Sequence, residues 1–331
     1  MLKVGILGAG RIAGVHAEAI TGHKSSTLVA VSDFYPEAAE RLAGEYGCAA
    51  RATDDIIADP GIDAVLIATS TDTHSDLIEA AAAAGKAVFC EKPVDLSLER
   101  ARACQAAVAK TGTPVMIGFN RRFDPSFATL QAAVAAGEIG APELLTLTSH
   151  DPAPPPVDYI KVSGGLFRDM MIHDFDMANF IMGEAPVRVS AVGSSLVDRA
   201  IGAAGDVDTA AVTLTYAGGQ IAVIKNSRRA SYGYDQRVEL LGSKGLLQAQ
   251  NMPEDFIVKS TADGVTGAKP VHFFLERYMA AYRAEWAAFV EAVSSGSAYP
   301  VDLADGVLAL AMAEAATLSA RRGAPVEMAD V

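Results

Sequence analysis

The first third of the chain alternates between short apolar runs and longer amphipathic stretches. Five runs are apolar on both faces, as buried strands are, and they span residues 3–7, 27–32, 64–68, 87–90 and 114–118. Strands of this kind separated by helices form parallel βαβ units with right-handed crossovers. The pattern therefore predicts an α/β fold class, with a Rossmann-type doubly wound parallel sheet in residues 1–120.

The hydrophobic pattern changes after residue 120. Alternation with a period of two predicts strands that turn signals would join as a meander, at residues 187–192, 211–216, 220–226 and 237–241. Other patterns predict a strand at 144–149 and helices at 125–136, 165–182, 277–293 and 303–320. We therefore expect a C-terminal α+β domain, residues 121–331, with a large, mostly antiparallel open sheet. Its last two helices are free to pack back on the first domain.

Composition narrows the classes of function. The 331 residues include 40 acidic and 27 basic side chains, a formal net charge of −13, and such a field repels nucleic-acid backbones and anionic lipids. We find no secretory leader and no apolar stretch long enough to cross a bilayer. Cys48, Cys90 and Cys104 are widely spaced, as in proteins with reduced, buried thiols. We expect a soluble, cytoplasmic protein that acts on a small molecule, without a nucleic-acid or membrane partner.

A glycine-rich turn follows the first predicted strand. The sequence GAGRIA begins at Gly8 and precedes helix-like sequence, which is the context of a dinucleotide-binding turn. Gly8 permits a tight turn, Gly10 lets the backbone approach a diphosphate, and Ala13 is small enough for helix and strand to pack closely. The helix N-terminus, with Arg11 and Ile12 in its first turn, would then face the anion.

An acidic residue follows the second predicted strand. Asp33 falls about where such folds place the carboxylate that binds a ribose 2′-hydroxyl. A carboxylate there would repel the 2′-phosphate of NADP, so we expect NAD as the cofactor. Arg11 and Ser32 leave mixed specificity open.

Polar residues also follow the strand predicted at 64–68. Thr69 and Ser70 offer hydroxyl groups, and His74 follows four residues after Ser70, at the sheet edge where such folds bind ligands. We predict that the three residues lie near the cofactor. His74 could equally be a capping or structural histidine.

The strand predicted at 87–90 runs directly into Glu91, Lys92 and Pro93. Lysines are usually solvated surface residues, but Pro93 restricts the backbone here and the preceding strand is apolar. We predict that Glu91 and Lys92 contact the cofactor and that Lys92 lies beside the nicotinamide.

Three ionisable residues recur at helical spacing in the segment GGLFRDMMIHDFDM. At about 100° per residue, Asp169, His173 and Asp176 share one stripe of an otherwise apolar helix. Burying such groups costs several kcal/mol unless they pair or carry out chemistry. A structural His–Asp hydrogen bond and a metal site are alternatives. We favour acid/base catalysis, because a histidine tuned by a carboxylate can take an alcohol proton as hydride leaves for nicotinamide.

The motifs GAGRIA, VSDFYP, ATSTDTH, EKP, GFNRRFD and GGLFRDMMIHDFDM occur in this order over nearly the whole chain. Together they resemble the glucose-fructose oxidoreductase and inositol dehydrogenase (Gfo/Idh/MocA) family. The stretches SHDPAPPPVDYIKVSGGLFRDMMIHDFDM and NSRRASYGYDQRVELLGSKG are most similar to the inositol-oxidising members. The sequence departs from the family pattern at Ala13, where a third glycine is often found.

The resemblance implies NAD-dependent oxidation of myo-inositol to 2-keto-myo-inositol. In that function Lys92, Asp169 and His173 form the catalytic triad, with His173 as the acid/base and no metal. The resemblance also implies a homotetramer built on the open second sheet, a cis peptide before Pro93, and a set of polyol-binding residues: Arg121, Asp151, Asp176 and Tyr234. A polyol pocket needs many hydrogen-bonding groups, which Asn120, His150 and Tyr232 could also supply.

Two other functions remain open from the sequence. A dehydrogenase of the same family could act on another inositol stereoisomer or on a pyranose sugar, because no motif encodes the orientation of a ring hydroxyl. A catalytically silent NAD-binding regulator is the alternative from another class, since a fold alone does not imply chemistry. The joint presence of Lys92, Asp169 and His173 disfavours the silent regulator.

Overall fold

The computed structural model describes residues 1–331, which form two compact units. Unit 1 comprises Met1–Phe123 and Met279–Leu310, and unit 2 comprises Asp124–Tyr278 and Ala311–Val331. Residues 279–310 therefore fold with the N-terminal segment, although they follow most of unit 2 in sequence.

Unit 1 contains a six-stranded parallel sheet. Its strands are β1 Leu2–Leu7, β2 Ser26–Ser32, β3 Ala49–Ala50, β4 Ala64–Ile67, β5 Ala87–Glu91 and β6 Val115–Gly118, in the spatial order β3-β2-β1-β4-β5-β6. The helices of the N-terminal segment are α1 Arg11–Gly22, α2 Pro36–Tyr46, α3 Thr53–Ala58, α4 His74–Ala83 and α5 Leu98–Val108. This topology confirms the predicted Rossmann-type sheet, to which the structure adds the two-residue strand β3.

The core of unit 1 is completed by a helix from far along the chain. Helix α11, Phe274–Ser295, carries the single tryptophan, Trp286, which is buried against Phe89 and Phe289. The Trp286 indole nitrogen donates a hydrogen bond of 2.9 Å to the Ser26 hydroxyl at the start of β2. The second half of α11 is thus part of the same core as the sheet.

Unit 2 contains the second large sheet. Its strands are β7 Pro142–His150, β8 Arg188–Ser194, β9 Thr209–Thr215, β10 Ile221–Ser227, β11 Asp235–Gly242, β12 Gly245–Ala249 and β15 Val326–Glu327, and a separate hairpin is formed by β13 Val258–Thr261 and β14 Gly264–Gly267. The helices are α6 Pro125–Ala135, α7 Val157–Ser163, α8 Leu166–Asp169, α9 Ile172–Met182 and α10 Arg199–Ala203. Helix α12, Leu303–Arg322, has residues in both units.

The second sheet is mostly antiparallel, as predicted, but it is not a simple meander. The spatial order is β12-β11-β7-β10-β9-β8-β15, so the earlier strand β7 lies between β10 and β11 and pairs with β10 in parallel. Alternate residues of β9, β10 and β11 are buried, and the residues between them are more exposed. One face of the sheet is therefore covered by helices that include α9, while the other face is open.

The prediction of one continuous helix at residues 165–182 is wrong. Helix α8 ends at Asp169 and α9 begins at Ile172. The Met171 amide donates to the Leu166 carbonyl, five residues back, so the regular four-residue hydrogen bonding is interrupted and restarts from the Met171 carbonyl. Asp169 and His173 consequently lie on two different helices. The prediction that the segment is largely buried is confirmed, since Ile172 and Phe175 have no exposed area.

One expectation about apolar stretches also needs correction. Helix α12 is long and apolar enough to cross a membrane by length and composition alone, yet 61% of its most apolar 18-residue stretch is buried in the protein. Glu314 within this helix forms an ion pair with Arg168. Core helices of globular proteins can be equally long and apolar, and α12 is mostly buried, as such core helices are.

Candidate active site

Unit 1 places its predicted site residues at one edge of the sheet. Because the strands are parallel, the residues that follow them gather at the carboxyl edge, where doubly wound sheets bind ligands. The predicted residues at this edge are Gly8, Gly10, Arg11 and Ile12 after β1, Asp33 after β2, Thr69 and Ser70 after β4, Glu91 and Lys92 at the end of β5, and Asn120 and Arg121 after β6.

Gly8 occupies a position that no other residue could take without strain. Its φ of +99° lies in the region that side chains disfavour, and a Cβ atom there would lie 2.4 Å from the Ala68 carbonyl oxygen. The Gly8 amide also donates to the Ser32 carbonyl oxygen at 2.8 Å. Gly8 therefore allows the ends of β1, β2 and β4 to approach each other.

Asp33 holds the glycine-rich turn. Its Oδ2 atom accepts a hydrogen bond of 2.6 Å from the Ala9 amide, and its Oδ1 atom accepts one of 2.8 Å from the Tyr35 amide. A carboxylate oxygen has about two lone-pair sites, so each oxygen can accept one more hydrogen bond. Asp33 can thus hold the turn and still accept a ribose hydroxyl.

The N-terminus of α1 fits the diphosphate of a dinucleotide. Gly10 is the N-cap residue, and a Cβ atom on it would meet no protein atom within 4 Å. No side chain caps the helix and no acidic residue lies in its first turn, which contains Arg11 and Ile12. The helix itself supplies no acidic group against the partial positive charge of its N-terminus; the Asp33 carboxylate, which binds the Ala9 amide, lies outside the helix. Ala13 is fully buried, as its packing role requires.

The structure favours a structural role for His74. The ring is buried, with Nδ1 2.8 Å from the Pro93 carbonyl oxygen and Nε2 3.2 Å from the Thr69 carbonyl oxygen. Burial lowers the pKa of His74, against the opposing effect of the two carbonyl contacts. The Thr69 hydroxyl bonds to that of Thr73 at 2.7 Å. His74 thus joins the loops after β4 and β5, whereas Ser70 is exposed at the edge.

Glu91 has a buried partner that the sequence reasoning did not identify. His16 on α1 is fully buried, and its Nε2 atom lies 2.7 Å from Glu91 Oε1. The other oxygen of Glu91 accepts a hydrogen bond of 3.2 Å from the Lys92 amide. Burial by itself raises the pKa of Glu91, but the hydrogen bond and charge of His16 and the charge of Lys92 outweigh it, so the pKa is lowered. Glu91 is therefore tied to α1 and to the Lys92 backbone.

Lys92, Asn120 and Arg121 complete the carboxyl edge of unit 1. Lys92 is half-buried and precedes a cis peptide bond to Pro93, the geometry that the family resemblance implies. Asn120 and Arg121 begin a short 3-10 helix and are both buried.

Unit 2 carries the other predicted catalytic residues around the break between α8 and α9. Asp169 is the last residue of α8, His173 lies in the first turn of α9, and Asp176 follows one turn later. Asp176 is buried, while Asp169 and His173 are half-buried. The interruption between α8 and α9 places Asp169 close in sequence to the N-terminus of α9.

Two side chains hold the Asp169 carboxylate. The Tyr159 hydroxyl on α7 donates to Oδ1 at 2.9 Å, and the Arg228 guanidinium donates to Oδ2 at 3.2 Å. Arg228 is buried and follows β10 directly, in the sequence NSRR. Sequence reasoning missed both partners, because a tyrosine and an arginine in irregular segments carry no periodic signal.

Asp174 anchors the start of α9 to the sheet. Its two oxygens accept hydrogen bonds from the Ser149 hydroxyl on β7, at 2.5 Å, and from the Asn226 amide on β10, at 2.9 Å. Asp174 is buried and lies in the first turn of α9, where the helix dipole favours a negative charge. This residue fixes the segment that carries His173.

Tyr234 and Asp151 lie near strand ends of unit 2. Tyr234 is buried, its amide donates to the Val271 carbonyl at 2.9 Å, and its ring meets the edge of Tyr278 at 6.1 Å. Asp151 follows β7 and is half-buried; its amide donates to the Ser227 carbonyl at 2.9 Å, next to Arg228.

His150 and Tyr232 belong to a separate cluster around Asp235. The Tyr232 hydroxyl donates to Asp235 at 2.6 Å, Arg237 binds both carboxylate oxygens, and His150 Nδ1 lies 3.6 Å away. Burial raises the pKa of Asp235, but these hydrogen bonds outweigh burial and hold it low. His150 directly follows Ser149, and successive strand residues point to opposite faces. This cluster therefore lies on the open face, opposite α9.

The remaining candidate groups are structural. The three cysteines form no disulfide; Cys90 and Cys104 are buried and Cys48 is half-buried. Burial raises the pKa of the Cys104 thiol to about 11. No group of three or more His, Cys, Asp or Glu side chains is arranged to hold a metal ion.

Family comparison agrees with the fold and the cofactor turn. Residues 2–119 match the family described as oxidoreductases with an NAD-binding Rossmann fold, and residues 127–248 match the GFO/IDH/MocA C-terminal domain. The chain is therefore an oxidoreductase that uses NAD. It belongs to the Gfo/Idh/MocA family.

Three relatives show how far the similarity extends. The chain is 53% identical over 319 residues to the inositol 2-dehydrogenase of Rhizobium meliloti, which covers 96% of each protein. It is 45% identical over 332 residues to the myo-inositol 2-dehydrogenase of Thermotoga maritima, covering 100% of this chain and 99% of the relative. The crystal structure of a myo-inositol dehydrogenase from Corynebacterium glutamicum superposes with a TM-score of 0.95 at 45% identity, covering 99% and 98% of the two chains.

Proposed function

We propose that this protein oxidises the C2 hydroxyl of myo-inositol to 2-keto-myo-inositol. The observation that carries the proposal is the near-complete similarity, at 53% and 45% identity, to relatives named as inositol 2-dehydrogenases. A polyol substrate also suits the acidic chain, which has a net charge of −13 and would repel anionic substrates.

The cofactor and the protein have separate tasks in this reaction. NAD, when bound, accepts the hydride from the substrate carbon. The protein binds the diphosphate at the N-terminus of α1 and the ribose at Asp33, and it must remove the hydroxyl proton. Gly10 supports this arrangement, because no protein atom lies within 4 Å of the position that a Cβ atom would occupy on it.

His173 is the proposed acid/base. It lies in the first turn of α9, and a neutral imidazole can accept the alcohol proton as the hydride leaves. Asp169, held by Tyr159 and Arg228, supplies a fixed negative charge for the proton-transfer step. Lys92 donates a hydrogen bond to the substrate oxygen and stabilises the negative charge that develops on it.

Substrate orientation is assigned to five further residues: Asn120, Arg121, Asp151, Asp176 and Tyr234. Four of these are buried or nearly so, and each carries a group that can hydrogen-bond to a ring hydroxyl. His150 and Tyr232 are left out of this set, because both bind Asp235 on the open face of the second sheet.

Assembly and location belong to the same proposal. The open face of the second sheet exposes five large apolar side chains, which a homotetramer would cover: Leu144, Val192, Ile221, Leu241 and Leu246. Three unpaired cysteines support a reducing, cytoplasmic location. Light scattering coupled to size exclusion tests the tetramer, and cell fractionation tests the location.

The decisive experiment measures NADH formation across a panel of inositol stereoisomers and pyranose sugars. We expect myo-inositol to give the highest kcat/KM, and His173→Ala to lower kcat by at least about a hundredfold while NAD still binds. Preference for scyllo-inositol or a sugar would replace the substrate but keep the reaction. Binding of NAD without oxidation of any member of the panel would instead favour a silent regulator.

A further inference from the structure

Arg228 places a positively charged guanidinium in the interior of unit 2. The residue is buried, and its side-chain Nη2 atom donates to Asp169 Oδ2 at 3.2 Å. Its Nε atom is buried without a hydrogen-bond partner. A buried cation is costly unless its partner compensates for the lost water, and here the compensating anion is Asp169.

The backbone of Arg228 is fixed by a second buried acid. The Arg228 amide donates to the Asp208 carbonyl at 2.8 Å, and Asp208 has no exposed area. The Asp208 carboxylate in turn accepts hydrogen bonds from the Thr209 hydroxyl and from three backbone amides, those of residues 196–198. The backbone that carries the Arg228 side chain is therefore held by the sheet and by the loop around Asp208.

The segment that carries Asp169 is held at its other end by the same loop. Asp206, two residues before Asp208, accepts hydrogen bonds from the Leu166 amide at 3.0 and 3.1 Å, at the start of α8. A Cβ atom on Gly165 would lie 2.7 Å from Asp206 Oδ1, and Gly165 has a φ of +84°. The 206–208 loop thus contacts the start of α8 directly. It also supports Asp169, the last residue of α8, through Arg228.

We propose that Arg228 is a positioning residue for Asp169, with Tyr159 as its helper on the second oxygen. The proposal rests on the proposed function, in which Asp169 must be ionised and correctly oriented for the proton transfer. Arg228 fixes Oδ2 from inside the unit, and Tyr159, which is exposed, fixes Oδ1 from α7. The Arg228 guanidinium and the Tyr159 hydroxyl donate to this carboxylate, and His173, four residues after Asp169, is a further titratable group of the same segment.

The test compares Arg228→Gln with Arg229→Gln, its exposed neighbour in the same loop. In Arg228→Gln we expect kcat to fall about tenfold to a hundredfold, with KM for NAD unchanged, because a misplaced catalytic group slows the chemical step. KM for inositol should change less than kcat, because Arg228 acts through Asp169 and the proposal gives it no contact with the substrate. Arg229→Gln should behave like the unmodified protein in every measurement.

Two further variants separate positioning from folding. Arg228→Lys restores the charge without the planar donor geometry, so we expect kcat to recover in part. Tyr159→Phe removes one hydroxyl from an exposed ring and should fold normally, with a smaller fall in kcat in the same direction. If Arg228→Gln fails to fold, a Tyr159→Phe protein with unchanged kcat overturns the proposal.

Failure of the positioning role and failure of the proposed function give different results. If the unmodified enzyme oxidises inositol and Arg228→Gln matches Arg229→Gln in kcat, the positioning role is wrong. If the unmodified enzyme oxidises no substrate of the panel, the proposed function is wrong, and crystal structures of the two proteins decide the positioning role. An Asp169 side chain with the same single rotamer in Arg228→Gln would then overturn it.

Discussion

Three carboxylates, of which Glu91 and Asp174 are buried and Asp169 is half-buried, lie at or beside positions with proposed roles in binding or catalysis. Glu91 pairs with His16, Asp169 with Arg228, and Asp174 with neutral donors on the sheet. Removing one partner of a buried charge pair destabilises the fold by more than the intact pair stabilises it, since the remaining charge is left without water or a partner. These contacts are therefore expected to influence both stability and the geometry of the neighbouring groups.

The His16–Glu91 pair gives a pH-dependent stability prediction. The pKa of Glu91 is lowered in the folded protein, so its contribution to stability is present above the ordinary carboxyl range and is lost as pH falls through the folded pKa. In His16→Leu the Glu91 carboxylate is buried without its partner. We expect the free energy of unfolding to fall by about 3–5 kcal/mol at pH 7. The deficit should shrink toward pH 5, where Glu91 can take up a proton.

Urea denaturation of unmodified protein and His16→Leu at several pH values measures this effect. His23→Leu is the matched control, because His23 follows the same helix and is not buried. Adding Glu91→Gln to His16→Leu should recover part of the stability. A pH-independent deficit would show that His16 acts only through packing.

Asp208 gives the corresponding prediction for unit 2. Burial raises its pKa, but the backbone amides of Asp198, Leu196 and Val197 and the Thr209 hydroxyl outweigh burial and lower it. The Asp208 contribution is therefore present above the ordinary aspartate pKa and is lost as pH falls through the lower folded pKa. Asp208→Asn should cost about 1–3 kcal/mol at pH 7, and less at pH 3. Asp263→Asn, on an exposed turn, is the control, and equal effects of the two substitutions would contradict this role.

At the scale of elements, the first βα turn uses its two glycines differently: one for backbone conformation and one for open space. Gly8 is needed by the protein itself, because of its φ and its approach to Ala68, whereas Gly10 leaves space that the fold does not use. A sequence pattern cannot separate these roles, since both positions are simply glycine. The folded structure separates the two roles.

Three alanine substitutions along this turn should have three different outcomes. Gly8→Ala should lower the thermal midpoint strongly, because its Cβ collides with backbone atoms. Gly10→Ala should keep the midpoint but weaken NAD binding, which titration calorimetry measures. Gly14→Ala, inside α1 with no neighbour within 4 Å, should be neutral or stabilising by up to about 1 kcal/mol. Unchanged NAD affinity in Gly10→Ala would argue against the diphosphate site.

Most long elements follow from local patterns, whereas their interruptions do not. The strands of the first sheet were predictable because runs such as that of β4 are apolar on both faces. The division between α8 and α9 was not, because residues 165–182 have helical periodicity throughout. The amide of Met171 selects the Leu166 carbonyl within the folded unit, and no residue type in the segment signals that choice.

At the scale of the whole molecule, each compact unit is built from two segments that are not consecutive in the sequence. Residues 279–310 belong to unit 1, and the single tryptophan, Trp286, is part of that core. The predicted first domain, residues 1–120, therefore lacks aromatic side chains that fill the interior of unit 1. This feature makes the integrity of unit 1 depend on residues near the C-terminus.

A truncated chain tests that dependence. A protein ending at Tyr278 loses Trp286 and Phe289, and each large aromatic removed from a core costs about 3–5 kcal/mol, against a typical total stability of about 5–15 kcal/mol. We expect it to show no cooperative melting of unit 1 by circular dichroism and no NAD binding. A chain ending at Pro325, which loses only β15 and the last few residues, should keep both. NAD binding by the shorter chain would contradict the assignment of residues 279–310 to unit 1.

The sequence by itself determined the Rossmann sheet, the second α+β unit and the residues of the dinucleotide turn, because each depends on neighbours within a few positions along the chain. Tertiary structure decided the insertion of β7 between β10 and β11, the contribution of α11 to the first core, and the pairs His16–Glu91 and Arg228–Asp169. These features join residues 59 or more positions apart. Their partners are selected by which surfaces pack and which charges must be compensated, and no local pattern records that selection.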